Sequence, residues 1–390
     1  MKRVSLKRVG ILFLLVFFAS VLLAIPFHYW TVDRKGFLRT LYPVTALFSS
    51  WTTKCSENAP QWQSEIMSFG LWKLRAPASQ SAFIDSEGKL HHCESGWQEG
   101  LFSSALVTEE SLFQYGSVTK PITSAFILSL VDQGELGLDW SVVDIFSAGR
   151  SENIPDSFNS ITVGKLMTYQ AGVTGEAFVE KEAAWCPTRM GELYNQKPWV
   201  LKDGVHRYSN LSYCILGALI SEVAGGDFRD VINDAFDLES YGVKFVDGPS
   251  PEAWVTPDYR YHDFYRDDLE PSFDYQAISA TGGLGGSAMG YARLMRDLID
   301  SSLSNHFSQE NESCDSSKMK NCYGYMFFRY KPENGKILYL KEGHMPGFSS
   351  LVAISENREV FVWVGNSDTP NARAGVIMKE FIDLLSDHWL

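Results

Sequence analysis

Ser117-Val118-Thr119-Lys120 opens a run that reads as a buried helix. From Val118 to Gln133 the apolar residues Ile122, Ala125, Phe126, Ile127, Leu128, Leu130 and Val131 cover most of a helical circumference, and Gly134 supplies the stop. Pro121 falls in the first turn, where a missing N–H costs nothing. Ser117 therefore stands at the helix start, with Lys120 one turn on along the same face. A serine hydroxyl is a poor nucleophile until a neighbour takes its proton, and a lysine can take it only when its own pKa is depressed. Burial, the positive end of the helix dipole and a second cation all push a lysine that way. An S-x-x-K pair also arises by chance in many chains, so the reading depends on partners elsewhere.

The chain around this stretch has 390 residues, 45% hydrophobic and 21% charged, enough for a sizeable core in one large domain or two. A formal charge of −13 with no basic patch excludes nucleic acid as a partner and reads as solubility.

The amino terminus differs. Lys2, Arg3, Lys7 and Arg8 precede an apolar run from Val9 to Trp30, long enough at ~1.5 Å per residue to cross ~30 Å of hydrocarbon. A cleaved signal peptide has a shorter apolar core and a small-x-small site, for which Leu22-Leu23-Ala24 is a poor candidate. Pro26, Phe27, His28, Tyr29 and Trp30 suit the far interface of a retained anchor. The expected organisation is a cytoplasmic tail at 1–8, a transmembrane signal anchor at 9–30, a tether at 31–75 and the main domain at 76–390. That domain would lie on the extracytoplasmic, periplasmic side of the cell membrane, with cleavage as the alternative.

Outside the cytoplasm disulfides form. Cys314 and Cys322 flank the polar loop Asp315–Asn321 and are the first choice for a bridge, while Cys55, Cys93, Cys186 and Cys214 allow three pairings. With no C-x-x-C pair, no zinc and no other metal or cofactor is expected.

Along the chain, 31–75 is rich in aromatics without a clear period, and the main domain opens at residue 76. Ser81–Ile84 and Leu90–Trp97 read as strands joined by the turn Asp85-Ser86-Glu87-Gly88, and the His91-His92 pair as surface residues. The middle is mainly helical, with a capped start at Ile161–Met167 and an apolar helix within Tyr208–Gly225. Residues 257–276 mix acidic and aromatic side chains, which suits a loop beside a binding cleft but reads first as a solvated surface loop. Ala280–Ser287 is glycine-rich without a P-loop or dinucleotide pattern, which points to close backbone packing ahead of a helix. Strand-like runs follow at 325–329, 337–341, 348–354 and 360–364, then an amphipathic helix at 374–385. Strands at both ends with helices between imply an α+β fold: one antiparallel sheet built from both chain ends, flanked by helices, with a mainly helical insertion.

Two more motifs accompany the S-x-x-K pair: Tyr208-Ser209-Asn210 just before a helix, and Lys341-Glu342-Gly343 at the end of a strand, followed by Pro346-Gly347-Phe348. In this order they resemble the serine beta-lactamase and penicillin-binding-protein superfamily, in its class C beta-lactamase-related branch of carboxypeptidases, esterases and D-aminopeptidases. The resemblance covers roughly 76–390 and extends to Phe113–Lys120, Val131–Asp139, Leu166–Val173, Tyr208–Gly217 and Ala280–Leu294.

The resemblance implies a beta-lactamase-like fold in which Ser117 is the acylated nucleophile and Lys120 its proton partner. Tyr208 is the general base or the leaving-group donor, and two nearby lysines would favour its phenolate. Lys341 supplies positive charge opposite the substrate. Asn210, Gly343 and His344 bind substrate, with the N–H groups of Ser117 and His344 as the oxyanion hole. An H-x-G reading, with His344 in place of Lys341, stays open.

The implied protein is a serine hydrolase of esterase, amidase or D-peptidase type, anchored in the membrane and acting through an acyl-enzyme on a small molecule or a cell-wall peptide or ester. The alternative is a catalytically silent protein of the same fold that binds cell-wall peptide or a protein partner. Glu342 stands where beta-lactamases carry threonine. A like-charge contact at ~5 Å costs about 3 kcal/mol at an effective dielectric near ~20, so weak or absent beta-lactamase activity is expected.

Overall fold

The computed structural model describes residues 14–389 apart from 16, 19, 21–23, 25, 103–104, 148–159, 174–185, 187–205, 249–252, 262–273, 302, 304–305, 307–313, 334 and 374. The chain begins with α1 (Arg34–Thr40), α2 (Tyr42–Trp51), β1 (Lys54–Cys55) and α3 (Gln61–Trp72). A hairpin of β2 (Ser79–Ile84) and β3 (Leu90–Ser95) leads to β4 (Phe113–Gln114) and α4 (Lys120–Asp132). The helical insertion holds α5 (Val142–Ser147), α6 (Val163–Met167), α7 (Asn210–Ala224) and α8 (Phe228–Phe236). Then come β5 (Lys244–Phe245), α9 (Ser279–Gly282), β6 (Leu284–Gly286) and α10 (Ala288–Asp300). The chain closes with β7 (Cys322–Tyr323), β8 (Phe328–Tyr330), β9 (Leu338–Met345), β10 (Phe348–Ser355), β11 (Val360–Gly365), α11 (Pro370–Arg373) and α12 (Gly375–His388).

Among the described residues, eight strands form one antiparallel sheet in the order β1-β3-β2-β11-β10-β9-β8-β7, so strands from the two chain ends meet where β2 pairs β11. β11 is buried at every position, as a strand covered on both faces must be. Alternation sends Phe361 and Trp363 to one face, against Trp62 of α3 and Phe381 of α12. Val360, Val362 and Val364 are left for the other face, where α10 packs. Each such side chain contributes about 1.5–3 kcal/mol by leaving water.

The strand boundaries differ from the sequence reading in one place that matters. Leu338–Met345 is one eight-residue strand, so Lys341-Glu342-Gly343 lies inside β9 and not at its end. The strand continues because β10 pairs with it as far as Met345, opposite Phe348.

The start of the domain also moves. β1 pairs β3 with Cys55 opposite Cys93, and a disulfide joins the two. Trp62, Ile66 and Met67 of α3 enter the main core. Residues 54–72 thus pack with the main core, ahead of the boundary expected at 76. The aromatics gave no period because they are shared among short elements that each bury one side. The other bridges are Cys186–Cys214 and Cys314–Cys322, the latter as the polar loop suggested.

Much of the Val9–Trp30 run lies outside the described residues, and its described part is helical. Among the described residues no single helix is long and apolar enough to cross a membrane. The His91-His92 reading needs correction: His91 is buried beside Phe83 and bonded to Asp85 (3.1 Å), and His92 bonds Glu94 (2.5 Å). In the acidic aromatic loop, 262–273 falls outside the described residues.

Candidate active site

Ser117 sits in a 3-10 turn, Gly116–Thr119, that runs directly into α4. Its N–H is among the first of a helical segment, which have no partner within the helix. Two glycines let β9 lie backbone to backbone against this turn. A Cβ on Gly343 would fall 2.0 Å from the Tyr115 carbonyl oxygen and 3.0 Å from the Val118 nitrogen. One on Gly116, whose φ is +59°, would fall 2.6 Å from the His344 carbonyl oxygen and 2.8 Å from its nitrogen. Ser350 on β10 ties the pair together by donating to Tyr115 O (2.6 Å). The His344 peptide is thus brought beside Ser117, where the oxyanion hole was expected.

Lys120 is fully buried. Its Nζ lies 2.9 Å from Ser117 Oγ, 2.7 Å from Asn210 Oδ1 and 2.7 Å from the Thr281 carbonyl oxygen. The last two atoms only accept, so they take two N–H bonds, and the third position of the nitrogen faces the serine. Burial first, and the charge of Lys341 second, hold this lysine well below the usual ammonium range. A neutral amine in this geometry offers its lone pair to the Ser117 proton.

The partner on the other side is Tyr208, whose hydroxyl donates to Ser117 Oγ at 2.7 Å. Asn210 Oδ1 stands further off, at 3.4 Å, and also accepts from Thr281 Oγ1 at 3.0 Å. Serine therefore accepts from tyrosine and donates to lysine, which makes a directed chain. Tyr208 is 41% exposed as a residue, and its hydroxyl lies against Ser117 and, further off, Asn210. Burial pushes the phenol above its ordinary range, and the bond to Ser117 pulls back only part of the way. The phenolate expected from two nearby lysines is thus corrected. Both lysines stand over the Tyr208 ring, at 5.3 Å for Lys120 and 4.8 Å for Lys341, and Lys120 Nζ shares Ser117 Oγ with the hydroxyl.

Lys341 points into a cage of rings, with Nζ 4.8 Å from the centre of Tyr208, 5.0 Å from Tyr323, 5.5 Å from Phe328 and 5.8 Å from Tyr169. Burial lowers its pKa to about 7, against the opposing pull of Glu342. Tyr169, whose ring lies tilted against both Tyr208 and Tyr323, has a φ of +58°, a conformation non-glycine residues hold only when packing fixes it.

Glu342 and His344 share the opposite face of β9. Glu342 pairs with Lys320 at 2.6 Å and approaches His344 Nε2 at 3.7 Å, while His344 Nδ1 lies 3.3 Å from the fully enclosed Asp368 carboxylate. Burial alone would lower the His344 pKa, but the two carboxylates outweigh it and raise it. Burial would raise that of Glu342, but His344 and Lys320 bring it down. Of the two third-motif candidates, Lys341 is the side chain that meets Tyr208. Among the described residues, no cluster of His, Cys, Asp or Glu suits a metal ion.

The family profile described as Beta-lactamase matches residues 86–379. The chain belongs to the beta-lactamase family. A relative in Dichelobacter nodosus, "Probable fimbrial assembly protein FimD, serogroup H1", is 28% identical over 386 residues, spanning 97% of this chain and 96% of that one. Among solved structures, the D-amino acid amidase of Ochrobactrum anthropi has a TM-score of 0.67 at 15% identity, covering 84% of this chain and 99% of its own. The beta-lactamase/D-alanine carboxypeptidase of Yersinia pestis has 0.66 at 16%, covering 84% and 98%. These two share the fold.

On this beta-lactamase-family scaffold all seven residues singled out from sequence, Ser117, Lys120, Tyr208, Asn210, Lys341, Gly343 and His344, gather around the nucleophile turn. Sequence reading missed Thr281, whose carbonyl takes a Lys120 proton, although the stretch holding it was noted. It also missed Tyr169, Tyr323, Phe328, Lys320 and Asp368, which no local spacing links to the motifs.

Proposed function

We propose that this beta-lactamase-family protein is a membrane-anchored serine hydrolase, with its catalytic domain outside the cytoplasm, that forms and hydrolyses an acyl-enzyme on Ser117. The observation that carries this reading is the position of Ser117 Oγ, 2.9 Å from Lys120 Nζ and 2.7 Å from Tyr208 OH. Lys120 takes the serine proton as Oγ attacks the substrate carbonyl carbon. The oxygen that gains the charge lies against the N–H groups of Ser117 and His344. Tyr208, protonated, gives its proton to the leaving nitrogen or oxygen as that bond breaks, and the strongly basic phenolate recovers a proton from Lys120. Water then attacks the ester and the same transfers run in reverse, which returns Ser117 to its starting state.

The substrate class is an ester, amide or peptide. Proteins of this fold named as a D-amino acid amidase and a D-alanine carboxypeptidase favour bonds beside a D-configured centre. The anchor reading draws on the Val9–Trp30 run and on the exposure of Leu14, Leu15, Phe17 and Phe18 within it.

The test is fluorophosphonate labelling of the full-length protein in membranes, with intact mass to count adducts. One adduct on the wild type and none on Ser117→Ala is expected. An unlabelled wild type would leave the binding-protein reading in its place.

A further inference from the structure

We propose that α2 and Phe102 form a second membrane contact, an apolar patch that seats the catalytic domain on the bilayer holding the N-terminal anchor. The proposal rests on that anchor as the source of the bilayer. The inner side of α2 carries Tyr42, Ala46 and Ser49, all buried. Its outer side, continued by the preceding Leu41, carries Val44, Leu47 and Trp51; in chain order the four are exposed by 41%, 49%, 45% and 69%. A helix apolar on both sides belongs in a core or against lipid, and one side of this helix faces outward.

The stripe continues off the helix. Phe102, 65% exposed and held at a φ of +60°, packs edge-on against Phe48 (4.9 Å) and Trp97 (5.3 Å), and Phe48 meets Trp51 at 4.9 Å. Aromatic side chains clustered at a protein's edge suit the headgroup zone, where one end of the ring stays wet.

The position of the chain favours lipid as the occupant. α2 starts at Tyr42, and at ~1.5 Å per helical residue its first turn lies within ~20 Å of Trp30, the last aromatic of the anchor run. Between them come Arg34, Lys35 and Arg39, with the Arg34 guanidinium 4.4 Å above the Trp30 ring. Such cations beside an anchor are drawn to anionic headgroups.

Seating the patch would also fix how the active site meets the membrane. Tyr42 packs edge-on against Tyr261 (5.6 Å), and Arg260 donates to Thr45 Oγ1 (3.2 Å) and pairs with Asp258 (2.6 Å). Asp258 bridges to Ser367, and the adjoining Pro257 packs on Gly347 in the turn that follows β9. The patch is therefore joined through packed residues to the strand that carries Lys341.

Among the described residues every cysteine is in a disulfide, so an introduced cysteine can be labelled alone. Full-length protein in nanodiscs would carry a fluorophore at Trp51→Cys, Phe102→Cys, Phe18→Cys or Ser86→Cys, with quencher on the upper acyl chain of the lipid. Ser86 lies in the turn before Leu90, at the far end of β3 from Ser95, which donates to Ser49 O of α2. Labels at 51 and 102 should lose most of their emission while that at 86 keeps its own. Full emission at 51 and 102 with quenching at 18 overturns the contact and leaves the anchor. Quenching at 51 and 102 with full emission at 18 keeps the contact and overturns the anchor. Full emission at all three overturns both, and equal quenching at 86 overturns a contact confined to this patch.

Discussion

Gly116 and His344 meet backbone to backbone: a Cβ on Gly116 would stand 2.6 Å from the His344 carbonyl oxygen and 2.8 Å from its nitrogen. That contact sets the spacing between the serine turn and β9, and with it the gap in which a substrate carbonyl oxygen would lie.

Gly116→Ala should therefore damage catalysis more than folding. The new methyl meets peptide atoms that cannot swing aside, and the φ of +59° disfavours any Cβ. Losing one oxyanion donor costs ~10²–10³ in rate, so acylation of Ser117 should slow by at least ~10². Stopped-flow acylation alongside circular dichroism checks it, and an unchanged rate would contradict the spacing argument.

Activity should rise with pH through the depressed pKa of Lys120, because only the neutral amine accepts the serine proton. Lys341→Met removes the like charge that contributes to the depression. The acid limb should then move to higher pH, though not to that of a free lysine, since burial is the larger cause. The lysines titrate as a coupled pair, so the limb belongs to both. A pH profile of kcat/KM for the two proteins measures the shift, and a limb moving to lower pH would refute it.

The same lysine should cost stability in a pH-dependent way. Lys341 titrates at about 7 in the fold against 10.5 when free. Below 7 both states carry the proton and the burial cost is present in full; between 7 and 10.5 the folded state is neutral while the unfolded chain stays charged, so the cost shrinks, and above 10.5 it is gone. At ~1.4 kcal/mol per pH unit the full cost is of the order of 5 kcal/mol. Lys341→Met should thus raise the melting temperature at pH 6 and raise it much less at pH 10. A gain of the same size at both values would dissociate the effect from titration.

Glu342 should weaken binding of substrates that carry a carboxylate, but less than an isolated like charge would, because Lys320 and His344 surround it. Glu342→Thr frees Lys320, while His344 keeps Asp368, and should tighten such substrates by ~10-fold or more, roughly 1.4 kcal/mol, with little change for matched substrates lacking the carboxylate. Lys320→Ala should act in the opposite direction. Inhibition constants for a matched pair of ligands decide it, and equal effects on both ligands would remove the electrostatic account.

Much of this protein was written in local sequence. A helix apolar around most of its circumference had to be buried, and that put Ser117 at its mouth and Lys120 one turn on. The runs at 348–354 and 360–364 read as strands, and strands β10 and β11 stand there. The glycines of 280–287 announced close packing, and a Cβ on Gly285 would indeed stand 2.2 Å from the Trp254 ring. These are properties of neighbours in the chain, which period and composition report.

Tertiary structure decided what depends on residues far apart in sequence. Sequence could place Lys341 near Tyr208 only by resemblance, and it gave no sign that Tyr169, Tyr323 and Phe328 complete the ring cage. Nor could it show that Lys320 and Asp368 balance Glu342 and His344. The charge state of Tyr208 is the clearest case. Counting nearby cations favours the phenolate, whereas desolvation in the fold is the largest influence on the Tyr208 hydroxyl and favours the neutral phenol. Ionisation depends on the three-dimensional surroundings of one oxygen atom, and no spacing along the chain encodes them.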